Sequence, residues 1–200
     1  MWDKIIVTSF SKGNGGRMKP TDDLREEHRV IKSVLPILDR VCVDIESGRS
    51  VKQDNLEGLI EFIKEFIEEH HYTKEEAYLF PEMEKAGVSG AEELITSLRN
   101  EHEEERQSVS KIGKIVFEKE ENMELSSMVE YLRAYIRLLN LHIDKEENRL
   151  FPMVDTYLSQ AVQKDLLKSF EDMETQIDSE RYAELKIWLN TMGETYTKPA

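Results

Sequence analysis

Histidine is rare in this chain, and four of its five histidines fall inside two repeated phrases. The phrase L-R-x-E-H occurs at residues 24–28 and again at residues 98–102. The phrase H-x-x-K-E-E-x-x-L-F-P occurs at residues 71–81 and again at residues 142–152. The order of the phrases is the same in both halves, so the histidines occupy positions related by an internal repeat. They are His28, His71, His102 and His142.

A glutamate follows two of these histidines by four residues, as Glu75 follows His71 and Glu146 follows His142. On a helix this spacing places both side chains on one face, about one turn apart. Together with one histidine from each of two other helices, the pairs supply four nitrogens and two carboxylates. Carboxylates that bridge two metals would give each metal two nitrogens and two oxygens. An oxide, hydroxide or water bridge would then leave one open position on each metal.

A hydrogen-bonded core histidine is the simpler explanation for any one of the four, because buried polar groups only need partners. For four histidines at repeat-related positions, a shared metal site is the better explanation, since converging imidazoles cannot all find protein partners. Mixed imidazole and carboxylate ligands favour iron or manganese, and zinc is also compatible with them.

Apolar residues recur at steps of three and four throughout the chain, which predicts an all-α protein. The stripes and short connections predict an up-down four-helix bundle, with one or two further helices after Pro152. We expect the first helix to start at Thr21 and to kink at Pro36, and the third to open with a capping box at Ser89. The fourth helix should bury Met128, Tyr131, Tyr135, Leu138, His142 and Glu146 on one face. The L-F-P elements should stop the helices and wall off the site.

Three regions follow from this pattern. They are a flexible N-terminal segment (residues 1–19), the metal-binding bundle (20–155) and a C-terminal helical extension packed on the bundle (156–200). The first residues form no convincing secretory signal, which predicts a cytoplasmic protein. A second interpretation takes Met18 as the start of the natural protein.

The charge of the chain bounds its partners. With a formal net charge of -14, the protein repels phosphate backbones, so we expect neither nucleic acid nor an anionic membrane surface as a partner. No apolar run approaches the ~18 residues of a membrane span. The single cysteine, Cys42, excludes an internal disulfide and is predicted to be a core filler.

The repeated phrases resemble those of the hemerythrin-like domains of the HHE cation-binding type, over about residues 20–155. The resemblance implies the same four-helix bundle and two iron ions joined by an oxo or hydroxo bridge, with manganese or zinc less expected. By position, His28 and His71 would bind one iron and His102 and His142 the other. Glu75 and Glu146 would bridge the two.

One position departs from the oxygen-carrying hemerythrins, which have another histidine where this chain has Arg106. The more symmetrical ligand set resembles family members tied to nitric oxide, peroxide, oxygen sensing or iron delivery. We therefore expect a small diatomic ligand or peroxide as the partner, with a redox partner or a homodimer also possible. An iron or oxygen sensor acting through a protein partner, and a structural bundle stapled by metal, remain alternative functions.

Several further residues adjoin the predicted ligands in the sequence. His71 rather than His70 is the predicted ligand, because His70 is four residues from Lys74 and points ~100° away on the helix. His70 is expected at the bundle edge or against an adjacent helix. Glu105 is predicted at the edge of the buried face, with a ligand role as the alternative. A set of acids adjoining the ligands is expected to be solvated or to orient the imidazoles: Glu27, Glu76, Glu101 and Glu147. Tyr131 and Tyr135 are predicted to be core aromatics rather than redox tyrosines.

Overall fold

The computed structural model describes residues 19–118, 125–176 and 179–196, which form helices and turns without any strand. Bundle helix 1 is α1 (Pro20–Glu46). Bundle helix 2 comprises α2 (Gln53–Phe62), π-helical segments Ile63–His71 and Lys74–Leu79, and α3 (Phe80–Lys85). Bundle helix 3 is α4 (Ala91–Gly113) followed by π-helical segment Lys114–Glu118. Bundle helix 4 comprises α5 (Leu125–Lys145), π-helical segment Glu146–Leu150 and α6 (Phe151–Tyr157). The predicted all-α bundle is confirmed, and α7 (Gln160–Glu174) and α8 (Ser179–Tyr196) are its additional C-terminal helices. The predicted flexible segment lies outside the described residues, except for Lys19.

The helix ends differ from the predictions in two places. Helix α1 begins at Pro20, where the fixed φ of proline suits the first turn, and it continues through Pro36 to Glu46. The predicted capping box at Ser89 is wrong. Gly90 precedes the helix in a left-handed conformation (φ 78°), and no side chain caps the helix there. Glycine adopts this conformation without the steric cost that other residues would incur.

The histidines lie between two apolar clusters. Along α1, Leu24 belongs to one cluster and Ile31 to the other, and His28 lies between them. Along α4, His102 lies between Leu98 and Val109 in the same way. Apolar layers above and below the histidines shield this level of the bundle from water.

The L-F-P elements do not end the helices as predicted. Pro81 and Pro152 lie just after π-helical segments that continue directly into α3 and α6, so the chain remains helical through both prolines. Their phenylalanines do cover the histidines. The ring of Phe151 stacks 5.3 Å from that of His28, and the ring of Phe80 lies 5.9 Å from that of His102.

The buried face of α5 is rotated slightly from the prediction. Leu132 and Leu139 are buried, whereas Tyr131 and Leu138 are only partly buried. Steps of three and four alternate in either register, so the sequence alone did not distinguish them. The prediction for Cys42 is confirmed, since its side chain is fully buried among apolar residues of the bundle.

The C-terminal helices pack on bundle helices 1 and 2. Phe170 of α7 joins the apolar cluster that contains Phe80, and the indole of Trp188 on α8 lies against Gly58. A Cβ atom at Gly58 would lie 2.4 Å from that indole, so this contact requires glycine. Within residues 19–118, 125–176 and 179–196, no helix combines the length and apolarity needed to cross a bilayer.

Candidate metal centre

The predicted ligands of bundle helices 2 and 4 lie in or beside π-helical turns. His71 ends the first π segment, Glu75 lies in the second, and Glu146 opens the segment on helix 4. A π turn bonds each residue to one five positions away, which shifts side chains relative to a regular α-helix. Such turns are rare and are frequent at functional sites. The H-x-x-x-E spacing gave no sign of them.

The six predicted ligands converge in the bundle interior, where each is essentially inaccessible to solvent. The Nε2 atoms of His28 and His71 are 3.2 Å apart, and those of His102 and His142 are 3.1 Å apart. Each histidine pair forms, with Glu75 and Glu146, a group whose ligand atoms lie within 4.8 Å of one another. The two groups are thus built around different histidines and the same carboxylates.

Glu75 and Glu146 lie between the two histidine pairs. Glu75 Oε1 is 3.6 Å from His71 Nε2, and its Oε2 is 3.4 Å from His102 Nε2. Glu146 Oε2 is 3.2 Å from His28 Nε2 and 3.3 Å from His142 Nε2. This is the placement expected of bridging carboxylates.

The chemistry of these atoms fits a pair of cations. All four carboxylate oxygens of Glu75 and Glu146 are buried without a hydrogen-bond partner. The histidine Nδ1 atoms are engaged by other carboxylates, so the Nε2 atoms are the ones that face the centre. Unpartnered carboxylate oxygens beside converging imidazole nitrogens are costly in a protein interior, and a bound cation satisfies both.

The pKa values of the site groups reflect the crowding of carboxylates and imidazoles in one buried place. Burial disfavours protonation of His28 and His142, but the carboxylate of Glu146 and its neighbours raise the pKa of both, which shows that the site attracts positive charge. Burial lowers the pKa of His71 and of His102 to about 4, which keeps these imidazoles neutral and able to bind a metal. Burial raises the pKa of Glu75, and the negative charge of Glu146 raises it further. Two like charges in one buried site repel each other, and a cation between them removes that repulsion.

Four further glutamates hold the histidines from outside the centre. Each accepts a hydrogen bond from the Nδ1 of one histidine: His28 to Glu147 (3.1 Å), His71 to Glu27 (2.7 Å), His102 to Glu76 (2.6 Å) and His142 to Glu101 (3.2 Å). The orienting role is therefore observed for all four, and the alternative that they are merely solvated is wrong. Such partners fix the tautomer and orientation of a metal-binding imidazole.

Each of these glutamates also pairs with a basic side chain. The pairs are Glu147 with Lys32, Glu27 with Lys74, Glu76 with Arg106 and Glu101 with Lys145. A histidine, a carboxylate and a cation thus recur in all four bundle helices. The K-E-E phrases supply the lysine and the orienting glutamate of helices 2 and 4. Lys74 and Lys145 nevertheless pair with glutamates of other helices, Glu27 and Glu101.

Arg106 holds Glu76 rather than leaving room for a further ligand. One guanidinium nitrogen donates to Glu76 Oε1 at 2.8 Å, and the same oxygen accepts the proton of His102 Nδ1. Burial alone would raise the pKa of Glu76, but the hydrogen bonds from His102 and Arg106 lower it to about 2. Arg106 therefore acts on the centre through an orienting carboxylate.

We expect Arg106→Gln to weaken retention of the metal at His102 by up to about tenfold, the lower end for partners of metal-binding histidines. The change removes the cation that fixes Glu76 and leaves the ligands intact. Competition with a chelator measures the effect. Arg106→Lys keeps the positive charge and should lose less metal, and a glutamine variant as retentive as the parent would contradict this role.

His70 differs from part of its prediction. It is buried (3% exposed), not on the surface, and its Nε2 lies 2.7 Å from Glu27 Oε1. Its ring also contacts Tyr182 of α8, which is the adjacent helix that the prediction allowed. His70 therefore supports His71 by sharing Glu27, and its Nε2 belongs to neither group of converging ligand atoms.

Glu105 lies deeper than predicted. It is fully buried, its Oε2 accepts a hydrogen bond from the Tyr72 hydroxyl, and its Oε1 has no partner. Burial raises the pKa of Glu105 to about 7. Tyr72 stacks on the ring of His102 with centroids 3.7 Å apart, which joins this pair to the centre. Tyr135 is a buried core aromatic as predicted, although its hydroxyl has no hydrogen-bond partner.

Glu68, outside the centre, should make the free energy of unfolding depend on pH. Burial raises its pKa from 4.5 to about 7, against the opposing charges of Arg106 and Lys64. A carboxyl with a raised folded-state pKa costs stability as the pH rises from 4.5 through 7. The shift corresponds to at most about 3 kcal/mol, and solvent screening at a partly exposed site reduces this to on the order of 1 kcal/mol.

We therefore expect Glu68→Gln to be more stable than the parent at pH 8 and closer to it at pH 5. Denaturant unfolding of both proteins at each pH measures the difference. Glu69→Gln makes the same charge change at an exposed neighbour and should show no such trend. A stability difference that is the same at both pH values would show that Glu68 is ionised in the folded state throughout.

Comparison with known proteins agrees with this geometry. Uncharacterized proteins of Mycobacterium tuberculosis and Mycobacterium bovis are 26% identical over 158 residues, covering 76% of this chain. The chain spans 60% of the length of these curated relatives. No solved structure matches the chain. The family model of the hemerythrin HHE cation-binding domain matches residues 19–154. With four histidines and two shared carboxylates gathered in its core, the chain belongs to the hemerythrin HHE cation-binding domain family.

Proposed function

We propose that this chain is a non-haem di-iron protein that binds or reacts with a small ligand such as O2, NO or peroxide, or that handles iron. The observation that carries the proposal is the sharing of Glu75 and Glu146 by two histidine pairs. Two groups that share both carboxylates suit a pair of adjacent cations better than two independent sites. Mixed imidazole and carboxylate ligands favour iron or manganese over the alternatives.

The side chains of the protein would have distinct tasks in this function. His28 and His71 would hold one ion, His102 and His142 the other, and Glu75 and Glu146 would join them. Iron, when bound, would supply one-electron chemistry and affinity for small ligands. Phe80 and Phe151 would limit access of water to the histidines.

The pair formed by Tyr72 and Glu105 can hold a proton beside the centre. The hydroxyl of Tyr72 donates to Glu105 Oε2, and the pKa of Glu105 is raised by burial to about 7. A group with such a pKa is poised to gain or lose a proton near neutral pH. This suits reactions of small ligands in which a proton is taken up or released.

The test is metal analysis of protein purified without oxygen after growth with ample iron. We expect two iron ions per chain and an optical spectrum that changes on exposure to air, NO or azide. Zinc at full occupancy would retain the site but remove the redox function. Two bound ions with a spectrum indifferent to all three reagents would favour the structural alternative, in which metal only staples the helices.

A further inference from the structure

A buried ammonium group joins the C-terminal helices to one half of the metal centre. Lys74 Nζ is fully buried and lies 2.7 Å from Asp23 Oδ2, 2.5 Å from Glu27 Oε1 and 2.6 Å from Glu174 Oε1. Glu174 is the last residue of α7. The oxygens of Glu27 and Glu174 also lie near His70, but the ammonium already occupies the space between these acids, so no further cation is needed there.

Glu27 connects this ammonium group to a metal-binding histidine. Its Oε1 accepts from Lys74 and from His70, and its Oε2 accepts from His71 Nδ1 at 2.7 Å. A carboxylate fixed by three donors has little freedom to turn, so the imidazole of His71 is held in one orientation. Hydrogen bonds of this kind are stronger in a dry interior than at the surface.

The basic partners of the other three orienting glutamates are more exposed to solvent than Lys74. These partners, Lys32, Arg106 and Lys145, are 44%, 33% and 24% exposed, whereas Lys74 is fully buried. Salt bridges open to solvent are weak and mobile. Each histidine, with its orienting glutamate and the basic partner of that glutamate, forms one quarter of the centre. The four quarters have the same chemistry, but among the described residues only the quarter of His71 is covered by α7 and α8.

Charge distinguishes the same quarter. Three carboxylates surround the ammonium of Lys74, and Lys186 also interacts electrostatically with two of them, Glu27 and Glu174, so the acids outnumber the nearby lysines by one. Each of the other orienting glutamates is matched by one basic side chain. Excess negative charge close to His71 favours a cation in its half of the centre, since buried charges are poorly screened.

We propose that the C-terminal helices make the two halves of the metal centre unequal, with Lys74 and Glu174 as positioning residues that slow release of the cation held by His28 and His71. The proposal rests on the two-cation centre of the proposed function. It does not depend on which small ligand that centre binds.

Release of iron to a chelator tests the proposal. Protein loaded with two ferrous ions per chain without oxygen is mixed at neutral pH with excess colorimetric ferrous chelator. We expect two phases of equal amplitude from the parent protein. Glu174→Gln should accelerate the slow phase by up to about tenfold, the lower end for partners of metal-binding histidines, because Glu174 acts on His71 through Lys74 and Glu27, and it should leave the fast phase unchanged. Glu101→Gln, which frees His142, should accelerate the fast phase and so assign it.

Two matched variants separate positioning from a general effect. Glu171→Gln makes the same charge change at an exposed position of α7 and should release iron as the parent does. Glu174→Asp keeps the charge and should lie between the parent and the glutamine variant. Release in a single phase from the parent, or equal acceleration of both phases by Glu174→Gln, would overturn the proposal.

The result also separates this proposal from the proposed function. Fewer than two bound ions per chain would overturn both. Two ions released in two phases, from protein whose spectrum ignores NO and air, would overturn only the small-ligand function. Thermal unfolding of each variant, followed by circular dichroism, identifies any phase that is accelerated by loss of the fold.

Discussion

Glu75→Gln should lose most of the metal from both halves of the centre. The two oxygens of Glu75 face different histidine pairs, Oε1 toward His71 and Oε2 toward His102. Glutamine has one acceptor oxygen and a donor NH2 group, so it cannot bind a cation on each side. Elemental analysis after identical expression measures the loss, and we expect less than one metal per chain against about two in the parent.

The metal-free form of the same variant should behave in the opposite way. Glu75 raises the energy of the empty site because it is buried next to Glu146, whose charge opposes its ionisation. A neutral glutamine of the same size needs neither to ionise beside Glu146 nor to take up a proton on folding, so metal-free Glu75→Gln should unfold at a higher temperature than the metal-free parent. Glu69→Gln, an exposed change on the same helix, should alter neither property. Retention of two metals by Glu75→Gln would disprove the bridging role.

The second large effect concerns the adjacent histidines. His71→Ala should lose about one metal per chain, because Nε2 of His71 lies among the converging ligand atoms. His70→Ala should keep nearly all its metal, because His70 contacts Glu27 and Tyr182 instead. Metal content and the optical spectrum of the two variants measure this contrast.

Stability should not follow the same ranking as metal content. His70 is buried rather than exposed at the bundle edge, so His70→Ala should cost more stability than a surface change. Removing a buried partner of Glu27 should cost about 1–3 kcal/mol of unfolding free energy, measured by denaturant titration. The ligand assignment fails if His70→Ala is the variant that loses metal. Equal loss from both would mean that His70 supports the centre as strongly as a ligand.

The repeated phrases were sufficient to predict the bundle and to bring six residues together, because helical spacing fixes which side chains share a face. That spacing paired Glu75 with His71 and Glu146 with His142, whereas the division of the histidines between two ions and the bridging by both glutamates came from the family resemblance. Lys74 shows the limit of this reasoning. In the sequence it is one lysine in an acidic helix, and only the docking of α7 and α1 around it explains why it is buried.

The local details were harder to predict for a different reason. Ser89 and Gly90 both suit a helix start, and the choice between them depends on the direction in which the chain leaves α3. The π turns at His71 and Glu146 shift side chains without changing the spacing in sequence. The spacing of Glu105 is compatible with either the edge or the centre of the apolar stripe of α4. Its full burial depends on the packing of Tyr72 against it, which the sequence does not show.

Because Cys42 is buried, its thiol should not react with the reagents that test the proposed metal centre. Burial raises the pKa of its thiol to about 11, so almost none of it is present as the reactive thiolate at neutral pH. Nitric oxide and peroxide commonly modify exposed, ionised cysteines, and this chain has no other cysteine. A spectral change after such treatment therefore does not come from a cysteine, and no cysteine-free variant is needed as a background.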